Sequence, residues 1–354
     1  MQFFGFHGDG DPERETGVPI PLVNIAKMAT AAVSHRLIGR RVPLNLMLAL
    51  TDRCTGRCAY CQLPARRSPE MTTQEIRRLL DEAAAAGTQR VGLWGGEPLL
   101  REDIHEIIRH ARAAGLFVTV DTNGHLIPQH SAALKAASHV NISLDGDEAS
   151  HDANRGQGSW ARTMAGIEHA HALKVPFWTI TVLTRHNIGA VDWLLDTARR
   201  LGFLTTFQVL HHNDEIGCNE GLHAEAGELR AVAKHLLARK LEGAPIGSSR
   251  KYLELLGQWP DYTVNRLPSF PGYAPCVAGR LYCNVDVDGS MYICSLFVDE
   301  VAAPNVRELG FRGAFDALSL PDCNACLGAC FTEYNLLYSL DIPTGLNWVK
   351  ALIK

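Results

Sequence analysis

The sequence predicts an α/β fold: a partial parallel barrel of six β/α units with a small cysteine-rich auxiliary domain toward the C-terminus. Three observations lead there. Between residues 44 and 215, β-rich runs alternate with amphipathic helical runs, the pattern of a parallel sheet covered by helices. Six such units fill this stretch, whereas a closed eight-unit barrel takes about 250 residues, so an open (β/α)6, TIM-like barrel is expected. From residue 266 the composition changes: Pro268, Pro271, Gly272 and Pro275 precede six closely spaced cysteines.

In chain order, residues 20–41 read as an amphipathic helix ending in Arg36, Arg40 and Arg41. It is expected to pack under or beside the barrel in preference to docking on a membrane. Residues 44–50 are apolar enough for a buried strand. The next helix opens with Thr72 and Glu75 at capping-box spacing, puts Ile76, Leu79, Leu80 and Ala83 on one face, and stops at Gly87. A strand over 90–94 follows, then a helix with Ile104, Ile107, Ile108 and Ala111 on one stripe, ending at Gly115. Its His105 and His110 are five apart, share no helical face and read as surface. Further strands are expected over 116–121, 139–144, 177–183 and 206–210. The chain thus divides into an N-terminal extension (1–43), the barrel (44–215), a helical connector (216–265), the auxiliary domain (266–340) and a tail (341–354).

The 354 residues are 46% hydrophobic and 20% charged, which is globular composition and excludes a disordered or fibrous chain. A net charge of −4 offers no basic excess to attract nucleic acid or an anionic membrane wholesale. No run of ~18 apolar residues is present, so no transmembrane anchor is expected. The first residues carry acids and glycines where a secretory signal would carry bases and an apolar stretch, and a cytoplasmic protein is expected. Ten cysteines in such a chain point to metal before disulfide, because nine of them cluster and only Cys218 stands apart.

Ligands of parallel α/β sheets gather at the carboxyl ends of the strands. Those ends carry residues 51–61, 95–98, 121–124, 143–146, 184–187 and 211–214. In Cys-Thr-Gly-Arg-Cys-Ala-Tyr-Cys, three thiolates sit on one loop after the first strand. Three sulfurs can hold three irons of a [4Fe–4S] cluster and leave the fourth iron open. A zinc site would want a fourth Cys or His nearby, and none follows before His105.

With these residues the sequence resembles the radical S-adenosylmethionine (radical SAM) superfamily. The spacing Cys54-x3-Cys58-x2-Cys61, with Tyr60 before the third cysteine, is similar to that family's signature. Gly95-Gly96-Glu97-Pro98 resembles the segment that holds the methionine amino group, and Ser143 and Arg155 resemble positions that contact the SAM ribose and carboxylate. The resemblance implies a [4Fe–4S] cluster binding S-adenosylmethionine, reductive cleavage to a 5′-deoxyadenosyl radical, and a small flavodoxin- or ferredoxin-type reductant protein as partner. The residues around such a radical must position substrate and exclude water.

The C-terminal cysteines resemble the SPASM/twitch class of auxiliary-cluster domains, through Cys276-x12-Gly289-x4-Cys294 and a shortened Cys323-x2-Cys326-x3-Cys330. One auxiliary [4Fe–4S] cluster is expected, since six cysteines exceed the four a cluster needs and the two-cluster pattern is incomplete. The twitch pattern selects Cys276, Cys294, Cys323 and Cys326; the SPASM pattern favours Cys283 and Cys330 beside Cys276 and Cys294. A four-cysteine zinc site is the alternative. Residues 281–294 read as a β-hairpin turning at Asp288-Gly289. No catalytic residue is assigned; His211, Asp214 and Cys218, at the end of the sixth strand, are candidates, and His212, Asn213, Asp121 and Asn123 are strand-end residues without a role. The substrate class stays open between a natural product, a peptide and a lipid. The basic helix, Gly-Gly-Glu-Pro-Leu-Leu and the closing cysteines also resemble the adenosylhopane-synthase branch, which adds the adenosyl radical to a lipid alkene. A non-catalytic Fe–S carrier or regulator is the reading from another class, and the intact motifs at 54–61 and 95–98 weigh against it.

Overall fold

The computed structural model describes residues 22–211, 221–298, 300–320 and 323–353. Helix α1 (Leu22–Ile38) leads into β1 (Asn45–Ala49). Then follow α2 (Thr73–Ala85), β2 (Arg90–Trp94), α3 (Ile104–Ala113), β3 (Phe117–Thr122), α4 (Ser131–Ala136) and β4 (His139–Ser143). The barrel continues with α5 (Glu148–Arg155), α6 (Ser159–Ala172), β5 (Phe177–Leu183), α7 (Val191–Leu201) and β6 (Leu204–Val209). Beyond it lie α8 (Ala226–Leu241), α9 (Arg250–Gln258), β7 (Arg266–Leu267), β8 (Tyr282–Val285) and β9 (Met291–Tyr292). The chain closes with α10 (Val306–Asp316), β10 (Ala325–Cys326), α11 (Ala329–Tyr338) and α12 (Ile342–Ile353).

One sheet runs in the order β6-β5-β4-β3-β2-β1-β8-β9, with β1 to β6 all parallel. Paired residues of a parallel sheet share a face, so the register sorts the side chains. Leu46, Leu48, Val91, Leu93, Val118, Val120, Val140 and Ile142 form the outer face under the helices, each 0% exposed. The opposite face lines the lumen and is polar: Asn45 pairs with Arg90, and Asp121 with Asn141. Helix α2 begins at the expected capping box, in which Glu75 N–H donates to Thr72 Oγ1 (3.2 Å) and Thr72 N–H to Glu75 Oε2 (2.7 Å). Its buried stripe is Ile76, Leu79, Leu80 and Ala83, and that of α3 is Ile104, Ile107, Ile108 and Ala111. Each large aliphatic side chain so buried contributes ~1.5–3 kcal/mol.

Two features depart from the sequence expectation. Strand β6 starts at Leu204, two residues early, because Leu204 pairs with Trp178 at the foot of β5. The C-terminal hairpin does not stand apart from the barrel: β8 pairs in parallel with β1, Cys283 beside Leu46 and Val285 beside Leu48. These two apolar side chains extend the outer face, so the hairpin becomes the far edge of the barrel sheet. The lumen is closed at the amino ends of the strands by α11, whose Tyr334 hydroxyl meets the Arg90 guanidinium; Arg90 also donates to Asn45 Oδ1 and Thr119 Oγ1, both at 2.8 Å. Among the described residues no helix is long and apolar enough to cross a membrane.

Candidate active site

The cysteine loop leaves the carboxyl end of β1 and is held to the loop after β2 by backbone hydrogen bonds. Leu50 N–H donates to Trp94 O (2.9 Å), Gly96 N–H to Thr51 O (2.7 Å) and Glu97 N–H to Arg53 O (2.8 Å). Only glycine permits so close an approach. A Cβ at Gly96 would lie 2.3 Å from Arg53 O, and Gly95, at φ +131°, would bring one 2.5 Å from Thr51 O. The Glu97 side chain turns inward and is 0% exposed. It accepts from Leu99 N–H (3.0 Å), Thr122 Oγ1 (2.8 Å) and Asn123 N–H (2.9 Å), tying the β2 loop to the end of β3. Burial raises its carboxyl to about 7 against those three donors.

The thiols of Cys54, Cys58 and Cys61 sense one another, and burial raises all three, Cys61 to about 11. A Cβ on Gly56 would lie 3.6 Å from Cys54 Sγ and 3.7 Å from Cys58 Sγ, so bare backbone fills the space beside both. Donors are ready for the sulfurs: Gly56 N–H to Cys54 Sγ (3.2 Å), Asn123 Nδ2 to Cys54 Sγ (3.6 Å) and Arg155 Nη1 to Cys58 Sγ (3.9 Å).

Behind Cys58 lies a buried ionic knot that sequence reading missed. Asp145, 0% exposed, accepts from Arg155 Nε (2.7 Å), the Tyr60 hydroxyl (3.0 Å) and Val182 N–H (2.9 Å). Arg155 and Tyr60, expected to face the cofactor, are therefore fastened to Asp145, with the guanidinium 5.7 Å from the Tyr60 ring centre. The one available signal was an acid two residues past Ser143, at the carboxyl end of β4. Ser143 itself is half-buried on the lumen face. Asn123 bridges Cys54 and Thr55, and Asp121 accepts from Asn141 Nδ2 at 2.6 Å.

His211 ends the described part of the sixth unit against the C-terminal segment: a Cβ at Gly328 would meet its ring at 3.3 Å. Burial lowers its imidazole to about 4. His212, Asn213, Asp214 and Cys218 lie outside the described residues.

Three of the C-terminal cysteines gather about Cys294. Burial raises the Cys294 thiol, and the thiols of Cys326, Cys276 and Cys323 push it further. Cys326 is likewise raised by burial and then by Cys276, and more weakly by Cys330. Tyr273 OH lies 3.5 Å from Cys326 Sγ and Tyr282 OH 3.6 Å from Cys276 Sγ. Cys283 is fully buried in β8 with no thiol acting on it; only Arg41 does. Cys330, at the start of α11, is exposed yet surrounded by protein, as befits a lumen position; after burial, Asp121 acts on it most, then the Phe331 backbone N–H and Arg90. None of the nine described cysteines is in a disulfide.

A profile described as the Radical SAM superfamily matches residues 48–198. The chain is 33% identical over 288 residues to "Mycofactocin maturase MftC" of Mycobacterium ulcerans, covering 78% of this chain and 74% of that one. It is 34% identical over 310 residues to "PqqA peptide cyclase" of Ruegeria pomeroyi, covering 80% and 79%. Among solved structures it is similar to SuiB of Streptococcus suis bound to S-adenosylmethionine, with TM-score 0.62, 17% identity, and coverage of 81% of this chain and 68% of that one. These likenesses run well past the barrel core. The chain belongs to the radical SAM superfamily and is an enzyme of it, with a cysteine-rich C-terminal segment of the auxiliary-cluster type.

Proposed function

We propose that this enzyme holds a [4Fe–4S] cluster on Cys54, Cys58 and Cys61, binds S-adenosylmethionine at the fourth iron, and modifies an unactivated carbon of a peptide. The observation that carries this reading is the backbone seam between the three-thiol loop and Gly95-Gly96-Glu97 at the carboxyl ends of adjacent strands. The donor set fits. Thiols raised by burial become thiolates only beside strong positive charge, which an iron cluster brings. Among the described residues, no three Cys, His, Asp or Glu side chains converge tightly enough for one metal ion. Zinc, with Zn–S of about 2.3 Å, draws its sulfurs to within ~4 Å of one another, whereas a cluster taking one thiolate per iron needs them spread.

When bound and reduced, this group supplies a 5′-deoxyadenosyl radical. The chain's own residues do the rest. Asn123, Gly56 N–H and Arg155 donate toward the sulfurs; Gly95–Pro98, Ser143, Tyr60 and Arg155 shape the nucleoside side; Arg90, Asp121, Asn141 and Cys330 enclose the substrate. His211 stands at the rim after β6, and Asp214 and Cys218 follow it in sequence. We assign an auxiliary [4Fe–4S] cluster to Cys276, Cys294, Cys323 and Cys326, because Cys276, Cys323 and Cys326 all act on the Cys294 thiol, whereas Cys330 acts on Cys326. Cys283 faces the outer core and Cys330 the lumen.

A peptide substrate is favoured because MftC and PqqA peptide cyclase align over most of the chain, and SuiB has been solved with the precursor peptide SuiA. A flavodoxin- or ferredoxin-type protein supplies the electron, and a reducing cytoplasm suits nine cysteines outside disulfides.

The test is anaerobic reconstitution with iron and sulfide, then dithionite and S-adenosylmethionine. Release of 5′-deoxyadenosine, absent in Cys58→Ala, is the expected result. A reduced cluster beside intact S-adenosylmethionine overturns the reading, and an adenosyl adduct on a lipid alkene moves it to radical addition.

A further inference from the structure

We infer that the end of the molecule formed by the α1 C-terminus and α12 docks on an anionic lipid surface. Leu37 is 77% exposed, Ile38 76%, Ile342 73%, Leu346 54% and Leu340 44%. Single exposed aliphatics are ordinary; a gathered set of them marks an interaction surface. Two distant stretches are gathered here because the Arg36 guanidinium donates to Ser339 O, one residue before Leu340. Helix α12 is two-faced. Its inner side is fixed by buried Thr344 and by Asn347, which donates to Gly247 O (3.1 Å) and accepts from Lys240 Nζ (2.9 Å). Its outer side presents Ile342 and Leu346, one turn apart, and the sequence repeats that spacing at Val349 and Ile353.

The charge at this end runs against the molecule's average. The chain is −4 overall, yet Arg36 and Arg40 are exposed beside Leu37 and Ile38. The nearby acids are engaged: Asp316 with Arg312 (2.8 Å) and Asp341 with Thr344 N–H (2.9 Å). Exposed aliphatic side chains rimmed by bases fit an anionic lipid boundary, where the aliphatics insert and the bases meet headgroup phosphates. Helix α1 runs into the start of β1, so this surface lies at the amino ends of the strands, opposite the cysteine loop. A docked molecule keeps its catalytic mouth free. The inference concerns where the enzyme sits and does not depend on its substrate.

The full chain, with its clusters reconstituted, is floated with vesicles of phosphatidylcholine alone or with about one-third phosphatidylglycerol. Binding is expected to the anionic vesicles, to weaken with salt, to fall about fivefold for Arg40→Glu, and to fall about tenfold or more for Ile38→Glu with Ile342→Glu. Iron content and dithionite-driven S-adenosylmethionine cleavage in these variants should match the parent, which separates failed docking from failed folding. Equal binding to both vesicles, or binding that the variants leave unchanged, overturns the inference. So does a vesicle-free dimer that Ile342→Glu dissociates, which would assign the surface to a second copy of the chain.

Discussion

Arg155 Nη1 lies 3.9 Å from Cys58 Sγ while Nε of the same guanidinium donates to Asp145 at 2.7 Å. Arg155 is 8% exposed and Asp145 0%, so little water screens either charge. A cation beside a cluster ligand favours the more negative, reduced state, and Asp145 offsets part of that effect. Asp145→Asn should therefore raise the reduction potential of the first cluster, and Arg155→Gln should lower it. Electron paramagnetic resonance during a redox titration without S-adenosylmethionine reads both. Arg155→Gln also strands a buried carboxylate and should cost ~3–5 kcal/mol in chemical denaturation. Shifts of the same sign in the two variants would refute the electrostatic account.

A chain of neutral histidines runs from the same knot toward Cys54. Asp145 N–H donates to His151 Nδ1 (3.1 Å), which leaves His151 Nε2–H to donate to Ser159 Oγ (3.2 Å). Ser159 in turn reaches His125 Nε2 (2.9 Å), and His125 Nδ1–H meets Thr55 Oγ1 (3.1 Å). This tautomer assignment follows from the one fixed donor at its start. Burial lowers both imidazoles to about 4, from 6.5 in an unfolded chain. The folded state thus binds fewer protons than the unfolded state between these values. Their contribution to stability is complete above 6.5 and is lost as pH falls toward 4. His151→Gln should flatten the acid limb of a denaturation-midpoint profile across that window; an unchanged slope would show that His151 is not one of the groups responsible.

What could be read from the sequence is what depends on neighbours along the chain. The α2 cap, the buried stripes of α2 and α3, and the positions of β2 and β5 follow from local pattern, and so do the thiol spacing and the glycine pair at 95–96. The pairing of β8 with β1 joins residues far apart in sequence and has no local sign. The same holds for Asp145: its identity as the partner of Tyr60 and Arg155 appears only when β4 and the cysteine loop meet. Arg155 stood out by position, but its engagement with an acid instead of open space is a tertiary fact.

The gathering of Cys276, Cys323 and Cys326 about Cys294 predicts a simple pattern of iron content. In a Cys54/Cys58/Cys61→Ala background, iron should remain near that of one cluster. Adding Cys326→Ala or Cys294→Ala should remove it, whereas Cys283→Ala and Cys330→Ala should retain it. Iron and sulfide analysis after anaerobic reconstitution decides this. Retention in Cys326→Ala together with loss in Cys330→Ala would move the ligand set to the SPASM pattern.

The seam between the two loops can be opened by a single methyl group. At Gly96 a Cβ would press on backbone, 2.3 Å from Arg53 O and 2.6 Å from Asp52 O, with no flexible side chain to yield. Gly96→Ala should therefore push the 95–97 strip off the cysteine loop, costing ~1–3 kcal/mol as overpacking does. It should also weaken S-adenosylmethionine binding, measured by perturbation of the cluster's resonance signal. Gly227, in the first turn of α8, has nothing within 4 Å of its Cβ position and no positive φ. Gly227→Ala should stabilise by about 0.4–1 kcal/mol and leave S-adenosylmethionine binding intact. If the two alanines behave alike, close backbone approach is not what joins the glycine pair to the cysteine loop.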